Sequence, residues 1–367
     1  MKSTHPNTRH SRLKLSLLAL LGSSLVGCSA SNPYYQADKP HHTPTGFQNL
    51  NASLVDKTWL DVLQWRLTSS PAPAASANSV PQIVPDLALI HHPSQPQSTW
   101  LGHSSLLVQA DGLNILTDPI FSERASPVSF AGPKRVQPIP LSPAQLPPID
   151  IVIISHNHYD HLDEHSIKTL AQQTTGSPLF LVPLGVDQLL KSWGVEKVMP
   201  LDWWQSHTVN NTQLVFTPAQ HWSARGLFDR NESLWGSWSL LSPQLNWHFA
   251  GDTGYTPIYQ EIRARLAPQG FDLAFIPIGA YEPRWFMRDQ HVDPYEAVTL
   301  HQDLAAKQSI AIHWGSFVMA DEAINQPPKD LEKALAEKNI DPSSFRSLAI
   351  GETINAADNS SKSSSKN

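Results

Sequence analysis

Ser155-His156-Asn157-His158-Tyr159-Asp160-His161-Leu162-Asp163 follows directly on the apolar run Ile151-Val152-Ile153-Ile154, with Pro147 and Pro148 just ahead of it. A short β-branched run bounded by prolines reads as a buried strand, so the polar cluster occupies the loop at that strand's C-terminal end. Imidazole nitrogens and carboxylate oxygens are ligands for zinc and similar divalent ions. One ion does not comfortably take four ligands from so short a loop. The H-x-H-x-D-H spacing therefore predicts two adjacent metals.

Working outward, the same device recurs. Leu214-Val215-Phe216-Thr217 leads to His221, Trp247-His248-Phe249-Ala250 leads through Gly251 to Asp252, and Ser309-Ile310-Ala311-Ile312 leads directly to His313. A single histidine in such a place is usually ordinary structure. Four apolar segments that each deliver a metal-compatible residue to the edge where strands open into loops point instead to a site. The natural division puts His156, His158 and His221 on one metal and Asp160, His161 and His313 on the other, with Asp252 bridging. Asp160 and Asp252 are thus expected to be catalytic as well as ligating, around a water shared by ions about 3.5–4 Å apart. Protein closes neither coordination sphere, which marks a catalytic centre. Two Zn2+ ions are expected, although iron or manganese suits the same ligand types. Neutral imidazoles and two carboxylates leave such a pair net positive, a match for an anionic phosphodiester. Asp118 is either a plain turn residue or a carboxylate that orients a ligating imidazole.

The 367 residues allow one large domain or two modest ones. A net charge of −6 and the lack of a long basic run beyond the N-terminus exclude nucleic acid as the main ligand. Twelve tryptophans suit places where apolar surface meets polar groups, lipid-facing rims included. Cys28 is the sole cysteine, so no intrachain disulfide forms and metal binding rests on His and carboxylates. Asp111-Gly112 between Ser104–Gln109 and Leu113–Thr117 predicts a hairpin. Ser166–Gln173 reads as a helix and Leu179–Pro183 as a buried strand. Thr58–Leu67 has helical apolar spacing, to be packed on the core or laid on a bilayer. Residues 29–56 read as a polar tether and Ser69–Pro96 as a long connection; His41-His42 and His91-His92 carry no expected role.

The N-terminus joins Lys2, Arg9, Arg12 and Lys14 to the apolar run Leu15–Val26, the form of a secretory signal. Its end, Leu25-Val26-Gly27-Cys28, resembles the lipobox of bacterial lipoproteins. That resemblance implies cleavage before Cys28, acylation of its thiol and amine, and, with Ser29 following, attachment to an outer membrane facing the periplasm. The expected layout is a signal peptide at 1–27, a tether and extension at 28–97, a catalytic domain at 98–352, and a disordered polar tail at 353–367.

Trp100-Leu101-Gly102-His103, Thr117-Asp118-Pro119-Ile120-Phe121-Ser122, Leu201-Asp202-Trp203-Trp204, Gly251-Asp252-Thr253-Gly254-Tyr255 and the run Ile276 to Met287 resemble the N-acylphosphatidylethanolamine-hydrolysing phospholipase D family of the metallo-β-lactamase superfamily. The resemblance spans about Trp100 to Glu352. It implies an α/β (α+β) fold, the αββα sandwich of two mixed sheets, with halves near 98–205 and 206–352. It also implies a zinc-dependent phosphodiesterase that releases phosphatidic acid and N-acylethanolamine. The seven metal positions all carry over, and His291 matches the family's active-site histidine, for substrate contact or proton donation. Gln290 and Tyr159 are further candidates for substrate contact. Arg284 and Arg288 hold the lipid phosphate or lie on an outer rim, and Trp285, Phe286 and Met287 form an apolar lip or pack in the core. The competing readings are another hydrolase on this scaffold (esterase, lactonase, small phosphodiesterase) or a non-catalytic metal- or lipid-binding envelope lipoprotein. A homodimer is left open. Growth with labelled palmitate is expected to label the wild-type chain and to leave Cys28→Ala unlabelled; equal labelling of both would end the lipoprotein reading.

Overall fold

A computed structural model describes residues 31–50, 57–69 and 79–356. The expected signal peptide and Cys28 lie outside the described residues. Two seven-stranded mixed sheets carry the fold. The first contains β3 (Gln97–Gly102), β4 (Ser105–Ala110), β5 (Leu113–Thr117), β6 (Ile151–Ile153), β7 (Leu179–Pro183) and β8 (Val198–Leu201). The second contains β9 (Ser206–Val209), β10 (Thr212–Thr217), β11 (Ser237–Leu241), β12 (Trp247–Phe249), β13 (Leu273–Pro277), β14 (Gln308–Ile312) and β15 (Phe345–Arg346). A small hairpin of β1 (His42–Thr43) and β2 (Gly46–Phe47) precedes them. The helices are α1 (Trp59–Thr68), α2 (Leu87–His91), α3 (Glu164–Ala171), α4 (Val186–Ser192), α5 (Ile258–Leu266), α6 (Arg284–Met287), α7 (Pro294–Asp303) and α8 (Gln326–Glu337). This is the expected sandwich.

The strand that opens the His-rich loop is apolar throughout because both its faces are buried. Ile151 and Ile153 enter the core between the sheets, with Trp100, Phe216, Trp238 and Phe275. Val152 and Ile154 enter a second core, formed with Ile167 and Leu170 of α3 and Val186 and Leu190 of α4. Successive strand residues face opposite ways, so two cores need an unbroken apolar run. The β4–β5 hairpin turns at Asp111 and Gly112, with φ of +52° and +73°, as two left-handed positions in a tight turn require.

Both ends of the expected catalytic domain need correction. The tail was expected from residue 353, but β16 (Thr353–Asn355) pairs antiparallel with β3, so the chain returns to the first sheet after completing the second. Residues 31–50, expected to be tether, pack on the domain: Phe47 and Asn49 are buried, and the Phe47 amide donates to the Asn231 carbonyl. His41 and His42, given no role from sequence, are buried too. Their Nε2 atoms lie 2.7 and 3.0 Å from the two oxygens of Asp202, which also accepts from Lys39 at 2.5 Å. Three potential positive partners around one buried carboxylate make this segment an arm fixed to the catalytic domain. Helix α1 docks through Trp65, which stacks on Phe286 and donates to Asp321, while Leu60, Leu63 and Leu67 remain exposed. No helix among the described residues is long and apolar enough to cross a membrane.

The sheets are tied near the His-rich loop by Trp238, whose indole N–H donates to the Ile154 carbonyl at 2.9 Å. Trp238→Phe is expected to lower stability by about 1–3 kcal/mol, through the lost hydrogen bond and a small void; urea unfolding of the two proteins measures it.

Candidate metal centre

Four strand ends deliver the seven candidate donors to one buried place. β6 opens into the loop holding His156, His158, Asp160 and His161; β10 leads to His221, β12 to Asp252 and β14 to His313. The approach of β12 to β6 is tight enough to need glycine. Gly251 has φ of +60°, and a Cβ there would lie 2.7 Å from the Ser155 Cβ. Without that contact Asp252 would stand away from the histidines.

The donor atoms fall into groups. His156 Nε2 and His221 Nε2 lie 2.8 and 3.3 Å from His158 Nδ1. Asp160 Oδ2 lies 3.2 Å from His161 Nε2 and 3.3 Å from His313 Nε2. Asp252 Oδ2 stands between the groups, 3.2 Å from His161 Nε2, 3.1 Å from His313 Nε2, 3.8 Å from His221 Nε2 and 3.9 Å from His156 Nε2. Two donors at roughly 2.1 Å from a tetrahedral ion stand about 3.4 Å apart, so these spacings suit a shared cation. Asp252 Oδ1, His161 Nε2 and His291 Nδ1 are buried and have no hydrogen-bond partner, which a bound cation and substrate would supply.

Three of the imidazoles are aimed by acceptors behind them. His161 Nδ1 donates to Asp118 Oδ2 at 2.7 Å, and His221 Nδ1 to the Gln290 carbonyl at 2.9 Å. His156 Nδ1 meets Ser155 Oγ at 2.9 Å, and that hydroxyl donates to Asp118. Each contact occupies the outer nitrogen and leaves the Nε2 lone pair facing inward. Asp118 is therefore the orienting carboxylate and not a mere turn residue. Burial pushes His158 down to about 4 and His221 to about 3, and it holds His156 well below the usual value, so these rings are neutral as ligation requires. Burial opposes ionisation of Asp160 and Asp252, but His161 and its neighbours outweigh it and hold both carboxyls well below the ordinary range.

One residue of this centre went unassigned in sequence. His103, fully buried, places Nε2 2.9 Å from Asp160 Oδ2 and shares a donor group with Asp160, His161 and His313. It follows the end of β3, so the rule that found the other four strand ends applied to it as well.

Other expected site residues are placed differently. Tyr159 points to the opposite side of the loop from His156 and His158: its hydroxyl donates to the Arg225 carbonyl and the Arg225 guanidinium covers its ring. Alternation along an extended loop turns 157 and 159 away when 156 and 158 face the donors. Tyr159 and Asn157 instead line a cleft of about 1300 Å³ with Phe121, Trp193 and Arg225, and none of the seven donors borders it. The Gln290 side chain rests on the Met287 sulfur, 3.4 Å away, so its contribution is the carbonyl that orients His221. Arg284 is no phosphate clamp: it donates to the His291 carbonyl and to Glu296 and pairs with Asp293. Arg288 is an exposed rim residue against Glu296. Of the expected lip, Phe286 and Met287 are buried and Trp285 is exposed. His291 does face the centre, its Nδ1 3.9 Å from Asp252 Oδ2 and its ring edge-on to His221.

With this geometry in view, the comparisons are specific. The model of the β-lactamase superfamily domain matches residues 113–314. The chain is 40% identical over 280 residues to the N-acyl-phosphatidylethanolamine-hydrolyzing phospholipase D 1 of Caenorhabditis elegans, covering 73% of this chain and 78% of that one. The chain belongs to the N-acylphosphatidylethanolamine-hydrolysing phospholipase D family. A second member of this family, the mitochondrial enzyme of Saccharomyces cerevisiae, is 38% identical over 243 residues, 64% of this chain and 51% of its own. A possible metal-dependent hydrolase from Veillonella parvula superposes with a TM-score of 0.57 at 18% identity, over 71% of this chain and 99% of that one, and shows the fold. Membership of the family makes this a metal-dependent hydrolase of the metallo-β-lactamase fold. Asp118→Asn keeps the shape but loses the carboxylate behind His161. Its metal affinity is expected to fall about 10–100-fold, measured by competition with a chromogenic chelator.

Proposed function

We propose that this protein is a phospholipase D-type phosphodiesterase that hydrolyses N-acylphosphatidylethanolamine-like lipids to phosphatidic acid and N-acylethanolamine. His156, His158 and His221 would hold one divalent cation, zinc in this reading, and Asp160, His161 and His313 a second, with Asp252 within reach of both groups. The observation that carries the reading is His291: an imidazole beside the seven expected donors, with a buried, unpartnered Nδ1 that faces Asp252. The substrate class follows from the activity named for the worm and yeast relatives.

Bound divalent ions supply Lewis acidity to a phosphoryl oxygen and make water a stronger acid. In the reaction the water oxygen bonds to phosphorus, the bond from phosphorus to the ethanolamine oxygen breaks, and one proton moves to that leaving oxygen. His291, whose Nδ1 is buried and unpartnered 3.9 Å from Asp252 Oδ2, stands where it can carry a proton between the water and the departing alkoxide. Arg284, through the His291 carbonyl, holds the backbone that presents this ring. A lipid anchor on Cys28 would keep the enzyme at a bacterial envelope membrane. The exposed Leu60, Leu63 and Leu67 of α1 and Trp285 of α6 offer apolar surface suited to that setting.

Purified protein incubated with mixed phospholipids is expected to release N-acylethanolamine and phosphatidic acid, and a chelator is expected to stop it. Asp252→Asn should abolish turnover, His291→Ala should lower kcat by about 10²–10⁴-fold, and Arg288→Ala should change neither. Lactones and cyclic nucleotides serve as comparison substrates. Preferential turnover of either, or lipid hydrolysis that survives both the chelator and Asp252→Asn, would overturn the proposal.

A further inference from the structure

His221 lies four residues beyond β10, where no strand ladder holds its peptide groups; the β10–β11 pairing ends at Thr217. Its amide and carbonyl are both taken by one side chain from a distant part of the sequence. Asn49 Nδ2 donates to the His221 carbonyl at 3.0 Å, and the His221 amide donates to Asn49 Oδ1 at 3.2 Å. The Trp235 indole N–H also donates to Asn49 Oδ1 at 3.2 Å. The carboxamide therefore acts as a strand partner of one residue: it offers a donor and an acceptor in one plane, and its Oδ1 is held in turn by a buried tryptophan. With the main chain fixed by Asn49 and Nδ1 fixed by the Gln290 carbonyl, the His221 ring has one direction left for Nε2, toward His156, His158 and Asp252.

Asn49 holds this position only because the arm that carries it is itself pinned. A Cβ at Gly46 would lie 2.1 Å from the Asn231 carbonyl oxygen, so the arm lies directly on the 222–233 loop. The Gln48 amide donates to the His41 carbonyl, and His41 stacks on Trp203 while bonding Asp202. His41, His42 and Asp202 resemble a metal-binding group in composition. Yet the Lys39 ammonium sits 2.5 Å from Asp202 Oδ2, and His42 Nδ1 is within hydrogen-bonding distance of the Tyr34 carbonyl and the Gln36 amide. A fixed cation already occupies the place beside the carboxylate, so the cluster works as a pin.

We propose that Asn49 is a positioning residue for the donor His221, and that the arm of residues 31–50 is by this means a working part of the metal centre. The arm precedes residues 113–314, the part of the chain matched by the superfamily domain. The proposal rests on the reading above that His156, His158 and His221 share one of two ions.

The test is cobalt titration of the full chain after metal removal, following the visible absorption bands and competing each equivalent with a chelator. Wild type is expected to take two equivalents. Asn49→Ala is expected to bind one of them about 10–100-fold more weakly, the range for loss of an outer orienting contact, and the other with unchanged affinity. Asn49→Asp keeps the acceptor for the His221 amide and carries the test should the alanine variant fail to fold. Gln48→Ala, an exposed neighbour on the same arm, should match wild type. Unchanged affinity for both equivalents in the Asn49 variants would overturn the proposal, as would equal weakening of both, the mark of general loosening. A wild-type chain that binds no metal would instead sink the two-ion reading on which this one stands.

Discussion

A carboxylate surrounded by imidazoles in a dry place is the arrangement on which the rest of this molecule depends. Asp252 Oδ2 has the Nε2 atoms of His156, His161, His221 and His313 within 3.1 to 3.9 Å, all of them buried. Polar groups removed from water are costly unless each has a partner. The protein meets this in part by giving the outer nitrogens of His156, His161 and His221 fixed partners, which leaves inner atoms to a cation. Asp118 is central to this: its two oxygens collect His161 Nδ1, the Ser155 hydroxyl and the Ser155 amide. A divalent ion held at the inner atoms would replace several mutually unfavourable contacts with bonds.

The sandwich exists to bring those atoms together from remote parts of the chain. Two facing sheets expose their strand ends along a common edge, and loops there escape the demands of ladder hydrogen bonding. Precision then has to come from elsewhere. It comes from close packing, as where Gly251 passes Ser155, and from single bonds between sheets, as from Trp238 to the Ile154 carbonyl. His103 and His313 adopt left-handed backbone with φ of +53° and +60°, and the His313 amide donates to the His103 carbonyl. Such conformations persist where surrounding contacts over-determine them, which is common at functional centres.

The segments flanking the catalytic core complete it. β16 covers the outer edge of β3, so the strand that leads to His103 is paired on both sides. At the other end, the arm reaches the His221 backbone through Asn49. Helix α1 has a mixed position: Trp65 is committed to Phe286 and Asp321, while its leucines face outward. Of the two fates weighed for that helix, packing holds for the face that carries Trp65, and the leucine face is exposed.

Much of the centre was legible because buried strands leave a local signature. Runs such as Ile151–Ile154 are apolar at every position when both faces are covered, and the residue after each run is placed by that fact alone. Other placements rest on partners that no local pattern names. Tyr159 read as a site residue because it sits among donors, but the alternation of its loop turns it to Arg225. For Arg284 the sequence offers either the lipid phosphate or an outer rim, and the structure gives its charge to Glu296, Asp293 and the His291 carbonyl. Residues 31–50 read as tether because they are polar and contain proline; their attachment rests on Asp202 and His221, 160 to 172 positions away. By itself, then, the sequence determined the kind of donors and the places of seven of them at strand ends, both of which follow from hydropathy and ligand chemistry over a few residues. Tertiary structure alone decided which atom of each donor faces inward and which distant residue holds it there. Those bonds join groups with no periodic relation in the chain, and only the folded backbone sets the distances between them.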